Sequence, residues 1–275
     1  MTARRSHRLE AGALSRDLAT ARVGRHVRVF DALDSTNSYA LDTLAPDAAR
    51  FDGAAVFAEY QSAGRGRLGR RWETPRGAGL TFTVLLHETS DRLPASRIVL
   101  AAAVAAADAI AETTDVEPVI RWPNDLYVRD RKLAGILIEV RTAAAGTRAV
   151  AVGIGVNCLQ HAAHFPPALR DRATSLEIES GHAIDRTAVA RAMLRRLDDL
   201  LAAQKAMDDA GLAEAWRERS ADIGARATLR DGGRSFVGRI VDVAPAEGLL
   251  LQIDGGGLRH FDPATTTREQ EPKDA

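Results

Sequence analysis

The chain reads as an α+β protein: a mixed, largely antiparallel sheet packed with helices, followed by a small β-rich C-terminal unit. Three observations predict this. Between residues 119 and 158, runs with strand character follow one another across short turns, which suits antiparallel neighbours and not a doubly wound sheet. Residues 94–113, "PASRIVLAAAVAAADAIAET", open on proline and stay apolar on most faces, the pattern of a helix buried around much of its circumference. After Ile223 the texture changes. Residues 225–261 hold four short β-rich runs punctuated by D-G-G, P-A-E-G and D-G-G-G, which predicts a barrel or meander of about 50 residues. The expected division is therefore 1–222 and 223–275.

In chain order, "HVRVFDAL" (26–33) is expected as a strand and "DSTNSYALDTL" (34–44) as a helix. Tyr39, Leu41 and Leu44 fall near helical spacing, and Ser35 or Thr36 is a good cap. "AAVFAEY" (54–60) is a short buried strand running into an arginine-rich segment, and "GLTFTVLLH" (79–87) alternates as the next strand. "VIRWPNDLYV", "KLAGILIEV" and "RAVAVGIGVNC" follow as strands, separated by "RDR" and "AAAG" turns. A second helical region spans about 185–220.

Lys+Arg and Asp+Glu both number 37, so the chain has no net charge. A protein coated in phosphate contacts is usually basic overall, so anion binding here should be local. A single cysteine, Cys158, excludes an internal disulfide framework and a multi-cysteine zinc cluster; it suits a reducing cytosol, and a cytoplasmic location is expected. No run of about 18 apolar residues predicts a membrane span. The arginine-rich start lacks the apolar centre of a secretory signal and reads as an ordinary N-terminus.

The segment "QSAGRGRLGRRW" (61–72) concentrates four arginines and three glycines. Glycines beside arginines keep backbone amides open and let a loop fold around an anion. A P-loop is excluded, because no Lys-Ser/Thr pair stands at the required spacing. A mobile phosphate clamp and a solvated basic loop explain the segment equally well. In "RWPNDLYV", Asn124 and Asp125 sit at a turn forced by Pro123, placed to hold a metal ion or a ribose hydroxyl. Lys132 opens a strand with apolar Leu133, Ile136 and Ile138. It is either a snorkelling edge residue or a fixed cation in a pocket, and spacing alone favours snorkelling. Gly153 and Gly155 lie on one face of a strand, where missing side chains admit a ligand or a closely packed helix. "DSTN" is explained by capping alone. His161 and His164 lack a third metal ligand, and Cys158 reads as a small buried residue.

Taken together, "DSTN", "EYQSAGRGRLGRRW", "RWPNDLYV", "RKLAGILIE" and "GIGVN", in that order from about residue 28 to 160, closely resemble the biotin protein ligases. The resemblance implies a class II synthetase/biotin ligase-like catalytic domain with an SH3-like C-terminal domain. It implies a two-step reaction: the biotin carboxylate attacks the α-phosphate of ATP to give biotinyl-5′-adenylate, and a lysine of a biotin carboxyl carrier domain then takes the biotin and releases AMP. It assigns Lys132, Arg67 and Arg65 to catalysis. Ser35, Thr36, Asn37, Gln61, Gly64, Arg65, Gly66, Arg67, Trp72, Lys132, Gly135 and Gly153 go to biotin; Arg67, Arg70, Arg121, Asn124, Asp125, Lys132 and Asn157 go to ATP. Asp125 goes to Mg²⁺, the expected cofactor. Residues 64–71 are expected to be disordered or open without ligand, because an adenylate must be enclosed against water after it forms.

Three departures stand out. Arg121 occupies a position where the family often has lysine, which keeps the charge but not the geometry. Residues 160–222 match loosely apart from "ATSL" (173–176). About 25 residues precede the first catalytic strand, too few for a winged-helix domain, so the ligase-only form with no DNA role is expected. The oligomer is a monomer or a homodimer on this reading. Two alternatives remain. A lipoate or octanoate transferase of the same fold needs a long apolar slot, and an RNA-binding module needs exposed aromatics among basic residues; aromatics are only 5% of the chain.

Overall fold

The computed structural model describes residues 8–88, 93–142, 147–201 and 208–269. The turn expected at 143–146 and the end of the second helical region, 202–207, lie outside them. A short helix α1 (Ala11–Ser15) precedes β1 (Val27–Phe30) and α2 (Thr36–Tyr39). α2 starts at a Ser35 cap whose hydroxyl accepts from the Ser38 amide, and it runs on through a π-helical turn at Ala40–Leu44. Then come β2 (Ala55–Ala58), β3 (Gly79–Glu88) and α3 (Ala95–Thr113), with Pro94 as its N-cap.

The expected strand 119–128 is two strands, β4 (Val119–Arg121) and β5 (Asp125–Val128), paired across a tight turn with a cis Trp122–Pro123 bond. β6 (Arg131–Thr142) and β7 (Arg148–Asn157) complete a seven-stranded sheet in the order β1-β2-β3-β7-β6-β5-β4. Only the β1–β2 pair is parallel. The mixed, largely antiparallel sheet expected from the sequence is therefore present.

α4 (Leu176–Ser180), α5 (Arg186–Leu201) and α6 (Asp209–Arg219) follow. The C-terminal part is a five-stranded antiparallel sheet, β8 (Arg226–Asp231), β9 (Arg234–Ala244), β10 (Gly248–Ile253), β11 (Leu258–Phe261) and β12 (Thr267–Arg268), ordered β11-β10-β9-β8-β12. This is consistent with an SH3-like unit.

The two faces of the large sheet have different fates. Leu80, Phe82 and Val84 of β3, Val152, Ile154 and Val156 of β7, and Ala134 and Ile136 of β6 pack into one core with α3 and α5. On the opposite face, Leu85, Ala149 and Ala151 pack under Leu41 and Leu44 of the π-helical turn. β3 is thus buried on both faces, which the alternation expected for it did not anticipate. The remainder of the second face, over Thr81, Gly155 and Gly135, is left for the site.

The edge of that floor is pinned by a buried ion pair. Arg186, at the start of α5, donates to Glu59 Oε2 at 2.8 Å and to the Gly79 carbonyl at 2.8 Å. Glu59 Oε1 also accepts from the Leu9 amide at 2.6 Å. The two side chains are only 3% and 4% exposed, so neither charge can fall back on water. Arg186→Ala is expected to destabilise the fold by about 3–5 kcal/mol, because it strands a buried carboxylate. Urea denaturation monitored by circular dichroism checks it.

Candidate active site

The floor of the site follows from strand register. Asp125, Gly135, Gly155 and Thr81 lie opposite one another across β5, β6, β7 and β3, and Leu137, Gly153 and Thr83 form the next row. Side chains alternate along a strand, so both rows share one face. A Cβ on Gly155 would come within 2.5 Å of the Trp72 ring, and one on Gly153 would overlap the Asn37 carboxamide. The two glycines therefore seat Trp72 and Asn37 directly on the sheet, and at Gly153 the missing side chain lets helix α2 pack closely through Asn37. A cavity of about 850 Å³ opens here, lined by residues of α2, the arginine loop, the 121–127 hairpin, β6, β7 and the C-terminal sheet.

Lys132 reaches this face through a β-bulge. Leu126 pairs with Ala134 but Tyr127 pairs with Lys132, so Leu133 is skipped and buried in the core. Lys132 Nζ lies 2.6 Å from Asp125 Oδ1 and 5.9 Å from the centre of the Trp72 ring. Its backbone is held from the other side, with Lys132 N donating to Arg172 O (2.7 Å) and Thr174 N donating to Lys132 O (2.9 Å). The snorkelling alternative is thereby set aside: Lys132 is a fixed cation paired with a carboxylate inside the cavity.

The arginine loop, expected to be disordered or open without ligand, is folded here as a closed hairpin. Gly66 N donates to Arg70 O (2.7 Å) and Trp72 N to Gly64 O (3.0 Å), with a tight turn at Arg67–Gly69. Leu68 takes a left-handed conformation (φ 56°) at the tip. Arg67 leaves this turn to donate to Asn124 Oδ1 (3.3 Å) and to the Thr266 carbonyl of the C-terminal part (2.7 Å). Burial lowers its pKa from the ordinary arginine value; Asp125 opposes that shift and Arg70 adds to it. Arg65 donates to Ser38 Oγ (2.8 Å) and lies 3.1 Å from Glu139 Oε2.

The remaining candidates divide. Thr36 N donates to Gln61 Oε1 (2.8 Å), and Ser35 and Gln61 line the cavity with it. Asn124 Nδ2 is committed to the Ile136 carbonyl at 2.6 Å. Arg121 sits at the rim, paired with Asp130 (2.7 Å) and stacked over Tyr127 (4.6 Å). Gly66, Arg70 and Gly135 also line the cavity. Gly64 does not; it lies beneath the loop, where a Cβ would overlap the Trp72 carbonyl. Asn157 is displaced from its expected place. Its amide donates to Thr174 O (2.9 Å) and accepts from Gln160 (2.9 Å), so it braces the segment behind Lys132 and does not line the cavity.

The sequence reading missed Thr83, Glu139, Asp222 and Thr266. Asp222 Oδ2 accepts from Trp122 N (2.6 Å) while Arg268 pairs with Oδ1, tying the 122–125 turn to β12. The available signals were slight: Thr83 interrupts an apolar run and Glu139 ends one.

Among the described residues, no group of three or more His, Cys, Asp or Glu is placed to hold a metal ion. Asp125 is a single carboxylate, which fits Mg²⁺ arriving with nucleotide phosphates better than an all-protein cage. His161 and His164 form an exposed pair with ring centres 5.3 Å apart. No helix among the described residues is long and apolar enough to cross a membrane.

Comparison with known proteins accounts for this arrangement. The profile of the biotin/lipoate A/B protein ligase family matches residues 29–157. The biotin–[acetyl-CoA-carboxylase] ligase of Paracoccus denitrificans is 35% identical over 237 residues, spanning 81% of this chain and 92% of its own length. The chain belongs to the biotin/lipoate A/B protein ligase family. Within it, the biotin–[acetyl-CoA-carboxylase] ligase of Mycobacterium tuberculosis is 34% identical, covering 83% of this chain and 85% of that protein. The bifunctional ligase/repressor BirA of Bacillus subtilis is 30% identical, covering 87% and 73%. The fold matches a biotin protein ligase from Aquifex aeolicus solved with biotin and ATP, with a TM-score of 0.71 over 90% of this chain and all of that one (100%).

Two outcomes are expected of this family member. Gly155→Ala should displace Trp72 and cost about 1–3 kcal/mol of stability, as overpacking does, read by urea denaturation followed by tryptophan fluorescence. Burial pushes the Cys158 thiol up to about 12, so iodoacetamide at pH 8 should leave Cys158 unmodified and the activity intact until the protein is unfolded; mass spectrometry reads the adduct.

Proposed function

We infer that the chain is an ATP-dependent biotin protein ligase, which forms biotinyl-5′-AMP and passes biotin to a protein lysine. The observation that carries this reading is the junction at Lys132. On one side lies a slot floored by Gly153 and Gly155, with Trp72 seated on it and Ser35, Thr36, Asn37 and Gln61 along its wall. On the other lie Asn124, Asp125, Arg67 and Arg121. A mostly apolar acid with a neutral polar head suits the first, and a polyphosphate suits the second.

Two anions must approach for the first step, the biotin carboxylate and the α-phosphate. Lys132 is proposed to stand between them, exchanging its Asp125 partner for ligand oxygens, because a cation already in place stabilises developing charge better than water. Arg67 and Arg65 are proposed to act on the phosphate and carboxylate region, with Arg70 and Arg121 toward the departing pyrophosphate. Mg²⁺ bound with ATP would neutralise phosphate charge, with Asp125 as its protein ligand and Asn124 beside it. Asn157 is proposed to act indirectly, through the segment behind Lys132. The protein partner proposed is a biotin carboxyl carrier domain of a biotin-dependent carboxylase, and a cytosolic setting suits a reaction that draws on ATP. We also propose a division at residue 222: what supports it is that the seven-stranded sheet and its helices end before Asp222, and the second sheet begins at Arg226.

Biotin-dependent exchange of labelled pyrophosphate into ATP is expected for the purified protein. Lys132→Ala should lower its kcat by about 10²–10³ while the protein still binds biotin in a calorimetric titration. Exchange driven by octanoate or lipoate and not by biotin would reassign the substrate.

A further inference from the structure

Behind the slot stand side chains that do not line it but hold those that do. Glu139 closes the apolar run of β6. Its Oε2 accepts from Asn37 Nδ2 at 2.7 Å, and Arg65 donates to both of its oxygens at 3.2 and 3.1 Å. Asn37 Nδ2 also donates to the Leu137 carbonyl (3.3 Å), and the Thr83 hydroxyl donates to Asn37 Oδ1 at 2.5 Å. The amide orientation is forced, since a carboxylate and a carbonyl only accept and must face the NH₂ group. Asn37 is therefore held from both ends, with both N–H bonds used and one lone pair left for a ligand. Through Arg65 and its bond to Ser38, the same carboxylate joins the start of α2 to the first arginine of the loop.

We propose that Glu139 is a positioning residue for the biotin half of the site, with Thr83 as its counterpart: together they set the Asn37 amide, and Glu139 also ties down the root of the arginine loop. This rests on the biotin ligase reading above. The partly exposed Arg65–Glu139 pair alone is worth little. The buried amide is what makes the carboxylate matter, because Asn37 lies directly over Gly153 with no room to turn elsewhere. A wall held in place before the ligand arrives spares it the cost of ordering that wall. Glu139 touches the Asn37 amide directly and meets the Asn124–Asp125 turn only through the arginine loop, so the larger effect falls on biotin and the smaller on ATP.

The test measures KM for biotin and for ATP separately, by pyrophosphate exchange, with melting temperatures to establish folding. Glu139→Leu removes the acceptor of a buried N–H and should raise KM for biotin about tenfold or more, with KM for ATP changed less than about twofold. Glu139→Gln keeps an oxygen for Asn37 but loses the charge and one of the two acceptors facing Arg65. It should leave KM for biotin near that of the parent protein and speed the loss of bound biotinyl-adenylate about three- to fivefold, in a filter-retention assay. Thr83→Val attacks the same amide from its other end and should repeat the selective rise; should Glu139→Leu not fold, this variant decides. An unchanged biotin KM in Glu139→Leu and Thr83→Val, or equal rises for both substrates, overturns the proposal while leaving the ligase reading intact. A parent protein without biotin-dependent exchange overturns the reading and the proposal with it.

Discussion

The site depends on a single irregularity in an otherwise regular ladder, the bulge that skips Leu133. Ala134 and Ile136 face the core, and strict alternation would send Lys132 in after them. An unpaired ammonium in that core would cost far more than a lost ladder bond. The chain instead buries Leu133 and turns Lys132 to the opposite face, where Asp125 meets it. Bulges serve this use beside active sites. The backbone of Lys132 does not go unpaired, because Arg172 and Thr174 supply the bonds. Residues 172–174 thereby form the outer support of the bulge, and Asn157 and Gln160 support them in turn.

Charge is arranged on the same principle. Several cations around the cavity are matched with carboxylates: Lys132 with Asp125, Arg65 with Glu139 and Arg121 with Asp130. Each partner fixes where a positive charge stands. Arg67 is held differently, bonded to a neutral amide and a backbone carbonyl. Placed so, its position is set by two separate parts of the fold.

Those two parts meet at Asp222. Its carboxylate accepts the Trp122 amide at the root of the Asn124–Asp125 turn and pairs with Arg268 of β12. Together with Arg67 on Thr266, this ties the C-terminal sheet to the Asn124–Asp125 side of the cavity, while the other side is built from the large sheet, α2 and the arginine loop. The asymmetry has a plain physical source. A slot for a compact apolar ligand can be cut into one sheet with glycines, whereas a long polyanion needs donors from several directions.

The sequence by itself determined the buried helix at 94–113, the succession of strands from 119 to 158, the β-rich C-terminal unit and the residue types of the site. These are properties of local pattern: apolar periodicity, turn residues and a dense arginine-glycine segment. It also marked Gly153 and Gly155 as sharing a face, because strand periodicity alone requires it. Only the tertiary structure decided which face Lys132 takes, since a bulge breaks the counting rule that sequence reading relies on. It alone joined the arginine loop to the C-terminal part, since Arg67 finds Thr266 199 residues away. It alone moved Asn157 from the cavity wall to a bracing position and brought Thr83 and Glu139 behind Asn37. Side chains in a second layer act through neighbours that are distant in the chain, and one-dimensional spacing carries no record of them.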